Sequence, residues 1–220
     1  MPVGRGVQFD TGDIELLRKL PGVEHLAPRI QLGGWMNNFS MVYGAKSGTF
    51  TVMGDYPALA RIVAFQYNAG RFINDADIAE SRKVVVIGQA VKEQLFGDED
   101  PMGKYVKISG VYFQVVGVTK TFRTGQQGER DSNTAFVPFT TMKRAFNMGD
   151  HVGFFAMTAK PGTDGPELER QVREALSRKH RIDPADKLAL GSFNMFVMFG
   201  KLAEVFLALE ILSWVVGVAT

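Results

Sequence analysis

The segment Gly97-Asp98-Glu99-Asp100-Pro101-Met102-Gly103-Lys104 sets a lysine behind a glycine and three carboxylates ahead of it, residue types that handle phosphate or a divalent cation. A phosphate-binding loop needs four residues between its glycines, Ser or Thr after the lysine, and amides free to meet an anion. Here five residues separate the glycines, Tyr105 follows the lysine, and the acids would repel phosphate. Asp98, Glu99 and Asp100 also lack the alternating spacing and distal bidentate glutamate of a calcium loop. The segment reads as a turn between a helix and a strand.

Other chemistries find no better footing. His25, His151 and His180 stand apart, with no second ligand at zinc spacing. Cysteine is absent, which removes disulfides, thiolate metal sites and a cysteine nucleophile, and leaves the redox compartment open. There is no Gly-x-Ser-x-Gly elbow and no Ser-x-x-Lys. Paired carboxylates for glycoside hydrolysis have no positive support. The expectation is therefore no catalytic residue, no cofactor-binding residue and no metal ligand in this domain. The basic run Arg170, Arg173, Arg178, Lys179 and Arg181 lies on an amphipathic helix, where it reads as a solvated face; its other reading is attraction to anionic lipid or an acidic partner. A net charge of +2 gives no concentrated basic field, so nucleic acid is not an expected partner.

The elements that would carry these residues alternate between helix and hairpin signals. Asp10 or Thr11 caps a first helix through Leu20, stopped by Pro21-Gly22. Strands are expected over 23–30, from Trp35 to Gly44 after the Gly33-Gly34 turn, and over 49–53. Pro57 to Tyr67 reads as helix. Val84-Val85-Val86-Ile87 is a buried strand broken by Gly88 and followed by a helix to Phe96. Ser109-Gly110 joins two strands, 105–108 and 111–118, in a hairpin. Thr119–Ser132 is polar and aperiodic and reads as a long exposed loop. After strands at 134–137 and 151–159, Asp164 caps a helix with Pro166 in its first turn, and a last strand is expected near 187–190. Composition is ordinary for a globular chain, 45% hydrophobic and 22% charged, and the mixture of helices and antiparallel hairpins indicates an α+β fold.

The two ends pose a separate question. The first residues show no charged start followed by an apolar run, so neither a signal peptide nor a leading membrane helix is expected. From Phe193 the chain turns apolar, and from Ile211 to Thr220 it carries no charge. Spanning a bilayer takes about 20 mostly apolar residues, and the uncharged run is about half that. A packed core helix and the start of a membrane helix are both open. Apolar residues that point all around the helix favour the membrane reading, with Lys201, Glu204 and Trp214 at the boundary.

One ordered series of motifs goes beyond its chemistry. Gly70-Arg71-Phe72 with Asp77, Val84-Val85-Val86-Ile87-Gly88, Leu95-Phe96-Gly97, Asp100-Pro101-Met102-Gly103-Lys104 and Phe113-Gln114-Val115-Val116-Gly117-Val118 resemble, in order and spacing, the periplasmic core domain of MacB-like, FtsX-type ABC transporter permeases. Leu20-Pro21-Gly22-Val23 and Phe136-Val137-Pro138 match the same pattern. The resemblance implies a discontinuous porter-like βαβ lobe over 7–55 and 150–192. It also implies an inserted, mostly-β, sabre-like lobe over 56–149, with a stalk and the start of a second transmembrane helix over 193–220. It implies a place on the periplasmic side of a bacterial inner membrane and a second permease protomer. ATP would be bound by a separate cytoplasmic ATPase domain or subunit, and a periplasmic membrane-fusion adaptor is a further partner such systems use. The expected role is mechanotransmission during export, with Arg123, Gln126, Gln127 and Arg130 of the polar loop as the partner contact. The alternative is a self-contained extracytoplasmic binding protein or enzyme using a groove between lobes.

Overall fold

In the computed structural model, residues 7–34, 37–63, 65–183, 186 and 189–192 are described. Contacts divide the chain into two compact units. One holds Leu16–Glu24 and the described residues from Ala159 onward; the other holds Gln8–Glu15 and His25–Thr158.

The order of elements is β1 (Phe9–Asp10), α1 (Thr11–Arg18), β2 (Val23–Gln31), β3 (Phe39–Tyr43), β4 (Lys46–Asp55), α2 (Leu59–Ile62), β5 (Phe65–Gly70), α3 (Asp75–Ala79) and β6 (Val84–Gly88). There follow α4 (Gln89–Phe96), β7 (Tyr105–Ile108), β8 (Val111–Thr121), α5 (Gly125–Ser132), β9 (Thr134–Pro138), α6 (Phe139–Ala145), β10 (His151–Val152), β11 (Phe154–Ala159) and α7 (Gly165–His180). The α+β character read from the sequence is the character of the fold.

The larger unit is organised by one sheet whose pairings return to their starting strand. β4 pairs with β3, β3 with β7 and β7 with β8, all antiparallel. β8 then pairs in parallel with β6, β6 antiparallel with β9, and β9 in parallel with β4. β2 and β11 extend the sheet beyond β4, and β5 adds to β8. Alternation along the strands separates two faces. Met41, Phe50, Val85, Ile108, Phe113 and Val115 are buried in one cluster. Val91, Leu95 and Phe96 of α4, with Phe139 and Met142 of α6, close over it. On the opposite face, Phe72, Val86 and Phe136 gather with Leu59 and Val63, and Phe65 stacks on Phe72 at 5.6 Å between ring centroids. That second cluster covers only part of the outer face. Beyond it Ser40, Ser47, Thr49, Tyr105, Lys107 and Tyr112 are exposed.

Buried charge occurs where a partner is at hand. Arg29 donates from Nε to Asp55 Oδ1 at 2.6 Å and from Nη2 to Oδ2 at 3.1 Å, and its guanidinium lies 5.3 Å from the Phe154 ring centre. Burial pushes the Asp55 carboxyl above the usual carboxylate range, and Arg29 pulls it back.

In the smaller unit α7 has the signals its sequence promised. Asp164 caps it, accepting from the Glu167 amide at 2.7 Å, with proline in the first turn. Gln171 Oε1 accepts from the Gly22 amide at 3.1 Å, and Gly22 O accepts from the Lys160 amide at 2.9 Å. Arg170 bridges Glu167 and Glu174. Hydrogen bonds from Arg170 and then Gln171 pull the Glu167 carboxyl down to about 2, against 4.5 for the free group. The folded pKa is depressed, so the contribution of this ion pair is present above pH 4.5 and is lost as the pH falls toward 2. An NMR titration of the Glu167 side-chain carbonyl is expected to show a midpoint near 2; a midpoint near 4.5 would show the pair is not formed.

Two sequence expectations change. The segment from Pro57 to Tyr67 is not one helix: α2 is a single turn, and β5 starts at Phe65. Leu59, Ile62 and Val63 fit helix spacing, but Phe65 and Tyr67 have strand preference, and β8 offers them an edge to pair with. The segment Thr119–Ser132 is not a loop throughout. β8 continues to Thr121, and α5 fills Gly125–Ser132. The final strand expected near 187–190 and the segment over 193–220 fall largely or wholly outside the described residues.

Candidate partner-contact surface

α5 is polar because only Gly128 of its residues is buried. A Cβ on Gly128 would stand 2.2 Å from the Arg123 carbonyl oxygen, so α5 lies flush on the segment that leads into it. Side chains then fasten both ends. Thr121 Oγ1 donates to Asp131 Oδ2 at 3.0 Å and accepts from the Arg123 amide at 3.0 Å. Ser132 Oγ accepts from the Ala90 amide at 3.2 Å, and Thr134 Oγ1 donates to the Arg130 carbonyl at 2.6 Å.

This frame brings Arg123, Gln126, Gln127 and Arg130 onto one short exposed segment. Arg123 lies 3.7 Å from Asp131, so its charge is partly matched. Sequence reasoning missed Phe122, which is 63% exposed at the end of β8. No local signal marked it: Phe122 follows the last residue of β8, where strand alternation no longer applies. Together these residues offer an aromatic anchor with amide and guanidinium groups around it, a composition common at protein interfaces. The boundary residues Lys201, Glu204 and Trp214 lie outside the described residues.

The motif residues take structural posts. Asp77 is completely buried and accepts two bonds from Arg71, at 2.5 and 3.1 Å, and one from the Asn74 amide at 3.0 Å. Asn74 Oδ1 in turn accepts from the Asp77 amide at 3.0 Å, closing a capping box at the start of α3. Gly70, at φ +69°, and Gly117 sit where two backbones touch: a Cβ on Gly117 would be 2.1 Å from the Arg71 carbonyl oxygen. Gly88 is equally confined, 2.2 Å from the Ser132 carbonyl oxygen by the same measure.

Lys104 explains the acidic turn. Its ammonium bonds Glu99, which also accepts from Tyr43 Oη at 2.9 Å. Lys104, then Tyr43, hold the Glu99 carboxyl below its ordinary value, and Glu99 raises Lys104 in turn. Asp100 Oδ1 accepts from the Met102 amide at 3.0 Å. The adjoining cavity is about 240 Å³, lined by Asn68, Gln89, Lys92 and the three acids, below the roughly 300–1,000 Å³ usual for small-molecule sites.

The sheet and its helices define a class first. The fold matches that of the periplasmic region of MacB from Actinobacillus actinomycetemcomitans, with TM-score 0.69 and 22% identity, over 82% of each chain. Residues 2–175 match the MacB-like periplasmic core domain, and the chain belongs to that family. It is 25% identical over 196 residues to the macrolide export ATP-binding/permease protein MacB of Bdellovibrio bacteriovorus, covering 89% of this chain and 29% of the relative. It is 29% identical over 183 residues to the pyoverdine export ATP-binding/permease protein PvdT of Pseudomonas entomophila, covering 81% and 27%. The chain thus spans little more than a quarter of these relatives' lengths. The relatives that share this domain are export ATP-binding/permease proteins. Among the described residues no helix is long and apolar enough to cross a membrane.

Proposed function

We propose that this chain is the extracytoplasmic domain of an export permease, on the periplasmic side of a bacterial inner membrane, and that it carries ATP-driven motion to a substrate or adaptor outside the membrane. The match over residues 2–175 to the MacB-like periplasmic core domain carries this reading. In it, ATP is bound by a separate ATPase domain or subunit, and two permease protomers work together. Lys201, Glu204 and Trp214 mark where the chain enters the bilayer. Arg123, Gln126, Gln127 and Arg130, with Phe122 among them, meet the partner.

The absence of cysteine makes a direct test available. Gln127→Cys in the full-length permease, with any cysteine outside these 220 residues replaced by serine, places one spin label on each protomer of the transporter. The distance distribution between labels is expected to shift when ATP and vanadate trap the closed ATPase. An unchanged distribution in a transporter that hydrolyses ATP would overturn the coupling role.

A second prediction concerns the contact itself. The pair Arg123→Glu and Arg130→Glu is expected to abolish export by the full transporter while leaving its expression and basal ATPase activity intact. Both side chains are exposed, and Arg123→Gln with Arg130→Gln, which places no new charge beside Asp131, is the control for disturbance of α5. Export at the original rate would remove this segment from the partner contact.

A further inference from the structure

Four strands present an open face that the function proposed above leaves unused. The register aligns Ser47 of β4 with Val42 of β3, Val42 with Lys107 of β7, and Lys107 with Tyr112 of β8. These four side chains form one row across the sheet. Tyr105 flanks the row on one side and Thr49 on the other. Alternation fixes their direction: Met41, Phe50, Val106, Ile108 and Phe113 between them are buried in the core behind. Tyr105 is 56% exposed and Tyr112 59%, and Lys107 lies 5.7 Å from the Tyr112 ring centre. Among the described residues the open part of this face carries no carboxylate; Asp55, at the far end of β4, is buried against Arg29.

We infer that this face binds the peptidoglycan of the cell wall, a strand of acetylated amino sugars whose peptide stems bear carboxylates. The inference rests on the extracytoplasmic placement proposed above, where such a polymer is within reach. The chemistry of the face selects among occupants. A purely apolar partner would bury the hydroxyls of Ser47 and Thr49 without bonds. A second copy of the same face would bring a cation toward a cation with no acid to meet it. An acidic peptide would satisfy Lys107 and leave two broad rings unmatched. A pyranose ring has an apolar C–H face for the tyrosines and a polar rim for the hydroxyls, and the peptide stem joined to it supplies a carboxylate for Lys107. Tyrosine suits this role because it offers large contact area at low entropic cost and keeps a polar tip.

The test is co-sedimentation of the full chain with purified peptidoglycan sacculi. Wild type is expected in the pellet. Tyr105→Ser with Tyr112→Ser should lower the bound fraction about tenfold, the loss of two aromatic contacts. Both side chains are exposed, so circular dichroism and melting temperature should match wild type. Lys107→Glu should weaken binding to sacculi while leaving binding to neutral N-acetylglucosamine oligomers unchanged. Wild type in the supernatant, or a double tyrosine variant that pellets like wild type, would overturn the inference. So would self-association lost in that variant while its sedimentation stays at the wild-type level, which would give the face to a second copy. None of these outcomes bears on the Gln127→Cys distance measurement, so the two readings fail separately.

Discussion

Arg71→Ala is expected to lower the unfolding free energy by about 2–3 kcal/mol, the range for leaving a buried acceptor unsatisfied. The loss stays in this range because Arg71 is itself partly exposed and Arg82 still lies 3.8 Å from the carboxylate. The Asp77 carboxylate is completely buried, and two of its three bonds come from Arg71. Arg82, at 3.8 Å, is too distant to replace them. The variant therefore keeps the carboxylate out of water with one amide bond and the more distant Arg82 to hold it. The reverse substitution should cost less. In Asp77→Ala the orphaned group is Arg71, whose side chain is 41% exposed and can turn to solvent. Urea denaturation of both variants checks the asymmetry, read as a fall in midpoint at constant slope. Equal losses, or a loss below about 1 kcal/mol in Arg71→Ala, would show that the pair is not the lock on this turn.

Gly117→Ala is the second large effect, and it acts through the backbone alone. The added methyl would approach the Arg71 carbonyl oxygen to 2.1 Å and the Arg71 amide nitrogen to 3.1 Å, and neither can swing aside. Arg71 donates its own amide to Val116 O at 3.0 Å, so separating the two chains also breaks that bond. A loss of about 3 kcal/mol or more is expected, the upper part of the range for overpacking. The same substitution at Gly110 is the control, because open space surrounds it; only its φ of +94° resists alanine. Thermal melting that ranks Gly117→Ala no worse than Gly110→Ala would contradict the close approach.

These two positions also mark what the sequence could reveal. Gly70-Arg71-Phe72 with Asp77 stood out as a motif, yet its reason is the contact with Gly117, which no local pattern announces. Local grammar served well where structure is local. Ser109 and Gly110, both at positive φ, turn the β7–β8 hairpin as their types suggested, and Asp164 caps α7. It failed where a distant partner decides. β5 is a strand because β8 lies beside it, and its Phe65 then meets Phe72 across the outer cluster. α5 escaped notice because its buried side is a glycine and its remaining anchors are hydroxyls and carboxylates, which leave no apolar period. Of the candidate contact, Arg123, Gln126, Gln127 and Arg130 were legible as an exposed polar stretch. Phe122 was not, since one aromatic residue after a strand looks like any other core residue.

The pairing of β4 with β9 has a consequence in time. Thr51 faces Thr134 in a parallel ladder, and everything between them lies in the other strands and helices of the same unit. Bringing such separated residues together carries a large loop-closure cost before any reward. A chain threaded outward from its amino terminus must hold β4 half-paired until residue 138 has emerged. The β7–β8 hairpin can assemble early, while the ring of strands snaps shut only at the end. Amide protons in the 51–55 half of β4 and on β9 should accordingly be among the last protected during refolding, and those of the β3–β4 and β7–β8 hairpins among the first.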